Sequence, residues 1–297
     1  MRKWLVIAAL LIISGLIVFV IAMSANNWDF SKLSTVKYVD NTYQITEDFI
    51  SLSLKTDTAD IHFAPSDDGS CRVHCHELEK AMHSVDVQDG TLTIQVNRGK
   101  DWHDYIGINF GTPKITIFLP KAEYAMLSIR ENTGDIKIPE HFLFETMDIS
   151  TNTGDVTNNA SSLESMKIKT TTGDIRVANI STGRLDLSVS TGDITVAGVT
   201  CESDLKINVS TGDISLKNVI AAERFSIENN TGDVKFTGCD ASEIFIKTST
   251  GDVAGSLLSD KIFFAESDTG DVDIPKTTTG GRCEIHTSTG DIEIEIQ

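Results

Sequence analysis

The sequence predicts an all-β fold: a parallel β-solenoid of about 20 residues per coil, preceded by one N-terminal transmembrane helix. Three observations carry this. A run of twenty residues without a charge opens the chain. The letters Thr-Gly-Asp-Ile or Thr-Gly-Asp-Val recur nine times, with their aspartates at Asp135, Asp155, Asp174, Asp193, Asp213, Asp233, Asp252, Asp271 and Asp291. Apolar residues flank every copy at alternate positions, and their parity changes across the Gly-Asp pair.

The first element spans residues 1–25. Arg2 and Lys3 precede the uncharged stretch from Trp4 to Met23. At about 1.5 Å rise per residue, twenty helical residues cross the roughly 30 Å hydrocarbon core of a bilayer. The basic pair favours the cytoplasmic side, so everything after Met23 is expected outside the membrane. A cleaved signal peptide is the alternative, because Ala22-Met23-Ser24 offers small residues at cleavage positions. The apolar run exceeds the roughly 7–15 residues of a signal peptide's apolar core, which favours an uncleaved single-pass anchor contacting the membrane through residues 4–23. Residues 26–44 read as a linker.

Residues 45–130 are less regular and read as a divergent β region that begins or caps the solenoid. Thr58-Ala59-Asp60-Ile61 is a degenerate copy of the repeat. VDVQDGTLTIQV reads as a hairpin turning at Asp89-Gly90, and GTPKITIFLP alternates apolar residues like a strand.

Residues 131–297 hold the regular repeats, whose aspartates are 19 or 20 residues apart. A fixed period near twenty is the signature of a solenoid. Eight residues before each Asp stand Leu127, Met147, Met166, Leu185, Leu205, Phe225, Ile244, Phe263 and Cys283; six before stand mostly isoleucines, from Ile129 to Ile285. This alternation marks a strand with one buried face. The residues directly after the aspartates, Ile136 to Ile292, are all Ile or Val. Even offsets are therefore buried before the Asp and odd ones after it, which a straight strand cannot do. A corner must sit at Gly-Asp, with glycine supplying the backbone freedom and Asp accepting a nearby N–H as in an Asx-turn. The unit is strand, corner, strand and short loop, each strand pairing parallel with its copy one coil away. A propeller blade needs about twice this period, and a calcium-binding nonapeptide roll needs more glycine.

With its TGDI and TGDV copies, and with DGTLTIQV and ITIFLP upstream, the chain resembles the bacterial β-strand-repeat family DUF4097, labelled putative adhesin and including LiaG-like envelope proteins. The resemblance covers residues 45 to 297. It implies an adhesin-like or stress-associated role at the cell envelope and brings no catalytic motif.

The remaining residues bear on function. A net charge of −18 argues against nucleic acid as a partner, since phosphate affinity needs clustered Lys and Arg. The five cysteines, Cys71, Cys75, Cys201, Cys239 and Cys283, are read as free thiols without a disulfide framework. The nine aspartates could form a calcium ladder, but calcium wants six to eight oxygens per ion, and turn capping is the preferred role. In CRVHCHELEK a strand would send Cys71 and Cys75 to one face and His74 and His76 to the other, so no face holds four zinc ligands, even with His83 nearby. No coil stands out by a His, Arg or aromatic cluster, and few aromatics point outward after Tyr124. Trp102, Tyr105 and Phe110 form one candidate binding cluster. The expectation is a non-enzymatic envelope module without a cofactor, whose partners are an envelope polymer or another envelope protein. A β-helix enzyme acting on envelope polysaccharide, or a calcium-stabilised rod, is the alternative.

Overall fold

A computed structural model describes residues 2–28, 36–97 and 111–297. Helix α1 (Arg2–Ala25) carries an apolar stretch, Lys3–Ala25, long enough to cross a membrane, with its large side chains exposed.

The chain then builds β1 (Tyr38–Ile45), β2 (Ser51–Lys55), β3 (Asp60–Pro65), β4 (Cys71–Leu78), β5 (His83–Gln88), β6 (Thr91–Val96), β7 (Lys114–Leu119), β8 (Glu123–Thr133) and β9 (Ile136–Ile138). Strands β2 and β3 lie parallel on β8 and β9 and form the first coil, so Asp60 is a true copy of the repeat. Beyond them β6 and β7 still pair in parallel, with β2 and β3, and the pairing turns antiparallel only after those two strands. One layer continues β3–β7–β4–β1 and the other β2–β6–β5, closing the solenoid end with a cap. The β5–β6 hairpin turns at Asp89 and Gly90, both with positive φ, as the sequence predicts.

From β8 to the strand Val234–Thr250 each strand lies parallel on its copy in sequence order. Met166 sits beside Leu185 and Leu185 beside Leu205; Ile168 sits beside Leu187 and Leu187 beside Ile207. After the corner, Ile175, Ile194 and Ile214 stack in the same way. These columns face one another and are almost entirely buried, which makes one continuous core along the rod.

The predicted short loop needs correction. In the coils from Ile175 onward the second strand does not end but bends, at Asn179, Gly198, Asn218 or Gly238, with φ between +52 and +62°. Parity switches again there. Ile180, Val199, Val219 and Cys239 turn inward, followed by Thr182, Cys201, Ala221 and Ala241. The coil therefore has a third inward-facing side, made possible by Asn and Gly, the residues that tolerate the left-handed region.

Stacking by sequence order also fails at the C-terminal end. The strand Val234–Thr250 pairs with Gly281–Thr289, which pairs with Lys261–Thr269. Likewise Val253–Leu257 pairs with Ile292–Ile296, which pairs with Val272–Asp273. The last coil in sequence is thus inserted beneath the one before it, and residues 261–273 are outermost. Ile262, Phe264 and Val272 are consequently exposed.

Candidate interaction surface

The repeated aspartates form a ladder whose geometry defines their role. Each Oδ1 accepts the backbone N–H of the aspartate in the next coil: Asp135 onto Asp60, Asp155 onto Asp135, and onward to Asp291 onto Asp252 and Asp271 onto Asp291, all at 2.8–3.1 Å. The bond runs between coils rather than inside the corner, which corrects the expected Asx-turn. At the roughly 4.8 Å spacing of paired strands the neighbouring amide is within reach. These N–H groups hold negative charge on every coil, offsetting repulsion along the column. Some second oxygens have cationic partners: Arg176 bridges Asp155 and Asp174 at 3.3 and 2.7 Å, and Lys235 meets Asp233 at 3.0 Å. The Asp252 N–H and Lys235 hold the Asp233 carboxyl below its ordinary value.

The glycine before each aspartate serves the stack itself. The nine corner glycines have φ between +129 and +152°, and a Cβ on any of them would run into the corner carbonyl of the coil beneath. Inside the corner, a buried polar column supports those carbonyls. Thr170 Oγ1 donates to Gly154 O at 3.3 Å, Thr287 Oγ1 to Gly251 O at 3.1 Å, and Asn229 Nδ2 to Gly212 O at 3.1 Å. Glu131 occupies the same column in the first regular repeat, and burial pushes its carboxyl up to about 8.

The candidate cluster Trp102, Tyr105 and Phe110 lies outside the described residues. In β4 the alternation is as expected. Cys71 and Cys75 are buried, while His74 and His76 face outward beside Asp40, at 3.8 and 2.8 Å. All five cysteines are free and buried. Tyr124 is buried between Phe49 and Phe144.

A surface missed by sequence reasoning lies on the outer face near the open end. The reordering brings Arg224, Phe245, Arg282 and Phe264 into one row. The Arg224 guanidinium lies 5.3 Å from the Phe245 ring centre, and that of Arg282 lies 5.9 Å from Phe245 and 5.0 Å from Phe264. Both arginines are ion-paired, with Glu243 and Glu284, so the row is electrically balanced. Phe264 is 53% exposed and adjoins exposed Ile262. The signal was present in the sequence, because Phe245 and Phe264 occupy an outward column that is otherwise Ser, Lys, Asp or Glu.

Comparison with known proteins adds the following. Among curated proteins, nothing matches. Similar solved structures include a putative adhesin from Bacteroides fragilis, 14% identical over 87% of this chain and 97% of that one, with a TM-score of 0.36. A putative lipid binding protein from Parabacteroides distasonis is 14% identical over 86% and 97%, with a TM-score of 0.43. A putative cell adhesion protein from Clostridium sporogenes is 10% identical over 88% and 100%, with a TM-score of 0.22. Likenesses of this degree carry no functional inference. The family model described as Toastrack DUF4097 matches residues 49–219 and 202–297, and so covers the solenoid and most of its cap. The chain therefore belongs to the Toastrack DUF4097 family.

Proposed function

We propose that the chain is a membrane-anchored, extracytoplasmic rod that binds envelope polysaccharide without catalysis, using the Arg–Phe row at its open end. The observation that carries this reading is the row itself. Arginine and aromatic side chains are enriched in interfaces, and exposed apolar groups clustered beside them mark binding sites more than isolated ones do. Flat aromatic faces stack on the C–H faces of sugar rings, and guanidinium groups donate to ring hydroxyls. The charge balance of Arg224 and Arg282 against Glu243 and Glu284 favours a neutral glycan over a polyanion.

The anchor supports the same reading. The chain enters the rod at the cap, whereas the row lies at the opposite end, near the coil of Asp271. Nine ladder steps at about 4.8 Å separate Asp60 from Asp271, a reach on the order of 40 Å.

The test is retention of cell-wall glycan by the full-length chain in detergent, with and without calcium. Phe264→Ala and Arg282→Ala should each reduce retention about tenfold, equivalent to about 1.4 kcal/mol. The proposal fails if wild-type protein retains no glycan, or if the double variant, folded by circular dichroism, retains as much as wild type.

A further inference from the structure

The cap contains a buried cluster that neither the repeat nor the proposed binding face uses. Strand alternation in β4 places Cys75 and Glu77 on the same inward face, two residues apart. The chain then turns sharply, with the Ala81 N–H donating to Leu78 O, and returns His83, the first residue of β5, against Glu77. The ligand-capable atoms of Cys75, Glu77 and His83 all lie within 4.8 Å of one another, and all three residues are buried. Glu77 joins both layers of the cap. Its Oε1 accepts from Asn41 Nδ2 of β1 at 2.7 Å, and its Oε2 accepts from the His83 backbone N–H and meets His83 Nδ1, both at 2.7 Å.

A hydrogen-bonded clamp accounts for part of this arrangement but leaves two features uncompensated. His83 Nε2 is buried and has no hydrogen-bond partner. A buried polar atom left in that state is destabilising. Charge is the second. With neutral imidazole the site holds a buried carboxylate without a counter-charge; with imidazolium the pair is neutral, but Nε2–H has no acceptor. A divalent cation bound at Nδ1, the ring nitrogen that faces Glu77, removes the charge difficulty, while Nε2 lies on the far side of the ring and is not a ligand. Bound by a thiolate and a carboxylate it makes a neutral set, and the imidazole supplies a nitrogen lone pair. From their present spacing the three donor atoms would close around the ion to bond lengths of about 2.0–2.3 Å.

We propose that Cys75, Glu77 and His83 form a metal site of the cap for one borderline divalent cation of the zinc class. The sulfur, nitrogen and oxygen donors select this class, because calcium and magnesium require oxygen ligands throughout. Binding releases the thiol proton and any proton on the coordinating nitrogen, so no redox partner is involved. The bound ion fastens β4 to β5, the strands on which the two layers of the cap meet. The outward histidines His74 and His76, with Asp40, are a competing surface site that lacks sulfur.

Cobalt(II) tests this directly on the full-length chain in detergent. Wild-type protein should take up one equivalent, displaceable by zinc, and develop a thiolate-to-cobalt charge-transfer band in the near ultraviolet. Cys75→Ser should abolish that band, and Glu77→Gln should weaken binding at least about tenfold. Cys71→Ser and the double variant His74→Ala/His76→Ala should leave the band unchanged. The proposal is overturned if folded wild-type protein binds no stoichiometric cobalt or shows no thiolate band. It is equally overturned if the band survives Cys75→Ser or disappears with the outward histidines. Because the wild-type measurement can refute it alone, misfolding of a variant does not protect it.

Discussion

Replacing Gly192 with alanine tests whether glycine serves the stacking of coils or only the turn. The new Cβ would collide with the carbonyl oxygen of Gly173 in the coil beneath, and would stand 2.7 Å from that carbonyl's carbon and 3.1 Å from Asp174 Oδ1. The backbone at Gly192 has φ of +139°, which alanine resists at a cost of about 1–3 kcal/mol. Relieving the collision means parting the two coils by roughly 1 Å. Three bonds hold them together there: Gly173 N–H to Thr191 O at 3.0 Å, Ile175 N–H to Asp193 O at 2.9 Å, and Asp193 N–H to Asp174 Oδ1 at 2.9 Å. At about 1 kcal/mol net for each, the substitution should cost about 4–6 kcal/mol in all. The first coil supplies a natural control. Ala59 holds the corresponding position without positive φ, and among the described residues no Gly-Asp corner lies beneath it. Ala59→Gly should therefore cost no more than about 1.5 kcal/mol, from backbone entropy and one lost buried methyl group. Urea unfolding followed by circular dichroism gives both values, and hydrogen exchange at the Ile175 amide reports the local parting. A Gly192→Ala variant within 1 kcal/mol of wild type would refute the stacking argument.

Two further outcomes follow from the same corner. Asp193→Ala leaves the Asp213 N–H without its acceptor and should destabilise by about 1–2 kcal/mol, whereas Asp193→Asn keeps an amide oxygen and should lie within about 1 kcal/mol of wild type. Thermal melts with EDTA and with millimolar calcium should coincide; a large calcium-dependent rise would return the ladder to a metal role. For Glu131 the direction is set by burial, which raises its carboxyl from an ordinary 4.5 to about 8. The folded state then holds a proton that the unfolded chain releases. Its stabilising effect is complete below about pH 4.5 and lost as pH rises through about 8. At about 1.36 kcal/mol per unit the span is on the order of 5 kcal/mol. Glu131→Gln should flatten the stability profile between pH 5 and 8, and a profile as steep as that of wild type would show that another group is responsible.

How much of this could be read beforehand depended on whether a feature repeats in the chain. The buried columns and the Gly-Asp corner recur in every coil, so parity alone located them, down to the degenerate copy at Asp60. The second bend escaped because Asn179, Gly198, Asn218 and Gly238 share backbone tolerance rather than letters. The inserted last coil was illegible for the opposite reason. Ile292 packs against Val253 as readily as Val272 would, so near-identical columns do not encode their own order. The Arg–Phe row depends on that order, because Arg282 reaches both Phe245 and Phe264 only when its coil lies between theirs. The cluster at Cys75, Glu77 and His83 needed the antiparallel pairing of the cap. The ligand-rich window pointed to the correct strand, while the partner that matters in it is Glu77.

The inserted coil also determines which edge of the solenoid stays open. Had the coils stacked in sequence order, the free edge would have been Gly281–Thr289 and Ile292–Ile296. Instead the terminal strand is held on both sides, and the Gln297 N–H donates to Leu257 O. The open edge falls to Lys261–Thr269, which is anchored by connections at both of its ends. An unpaired strand edge invites pairing with other chains, and charge along it is the usual defence. Glu266, Asp268 and Asp271 supply that charge on the half nearest the corner. Ile262 and Phe264 leave the other half apolar, and there Arg282 stacks on the Phe264 ring. The same exchange of coils that secures the terminus thus confines the exposed apolar surface to one short segment. Acidic residues discourage strand addition along the rest of the edge and leave side-chain recognition at that segment as the compatible use.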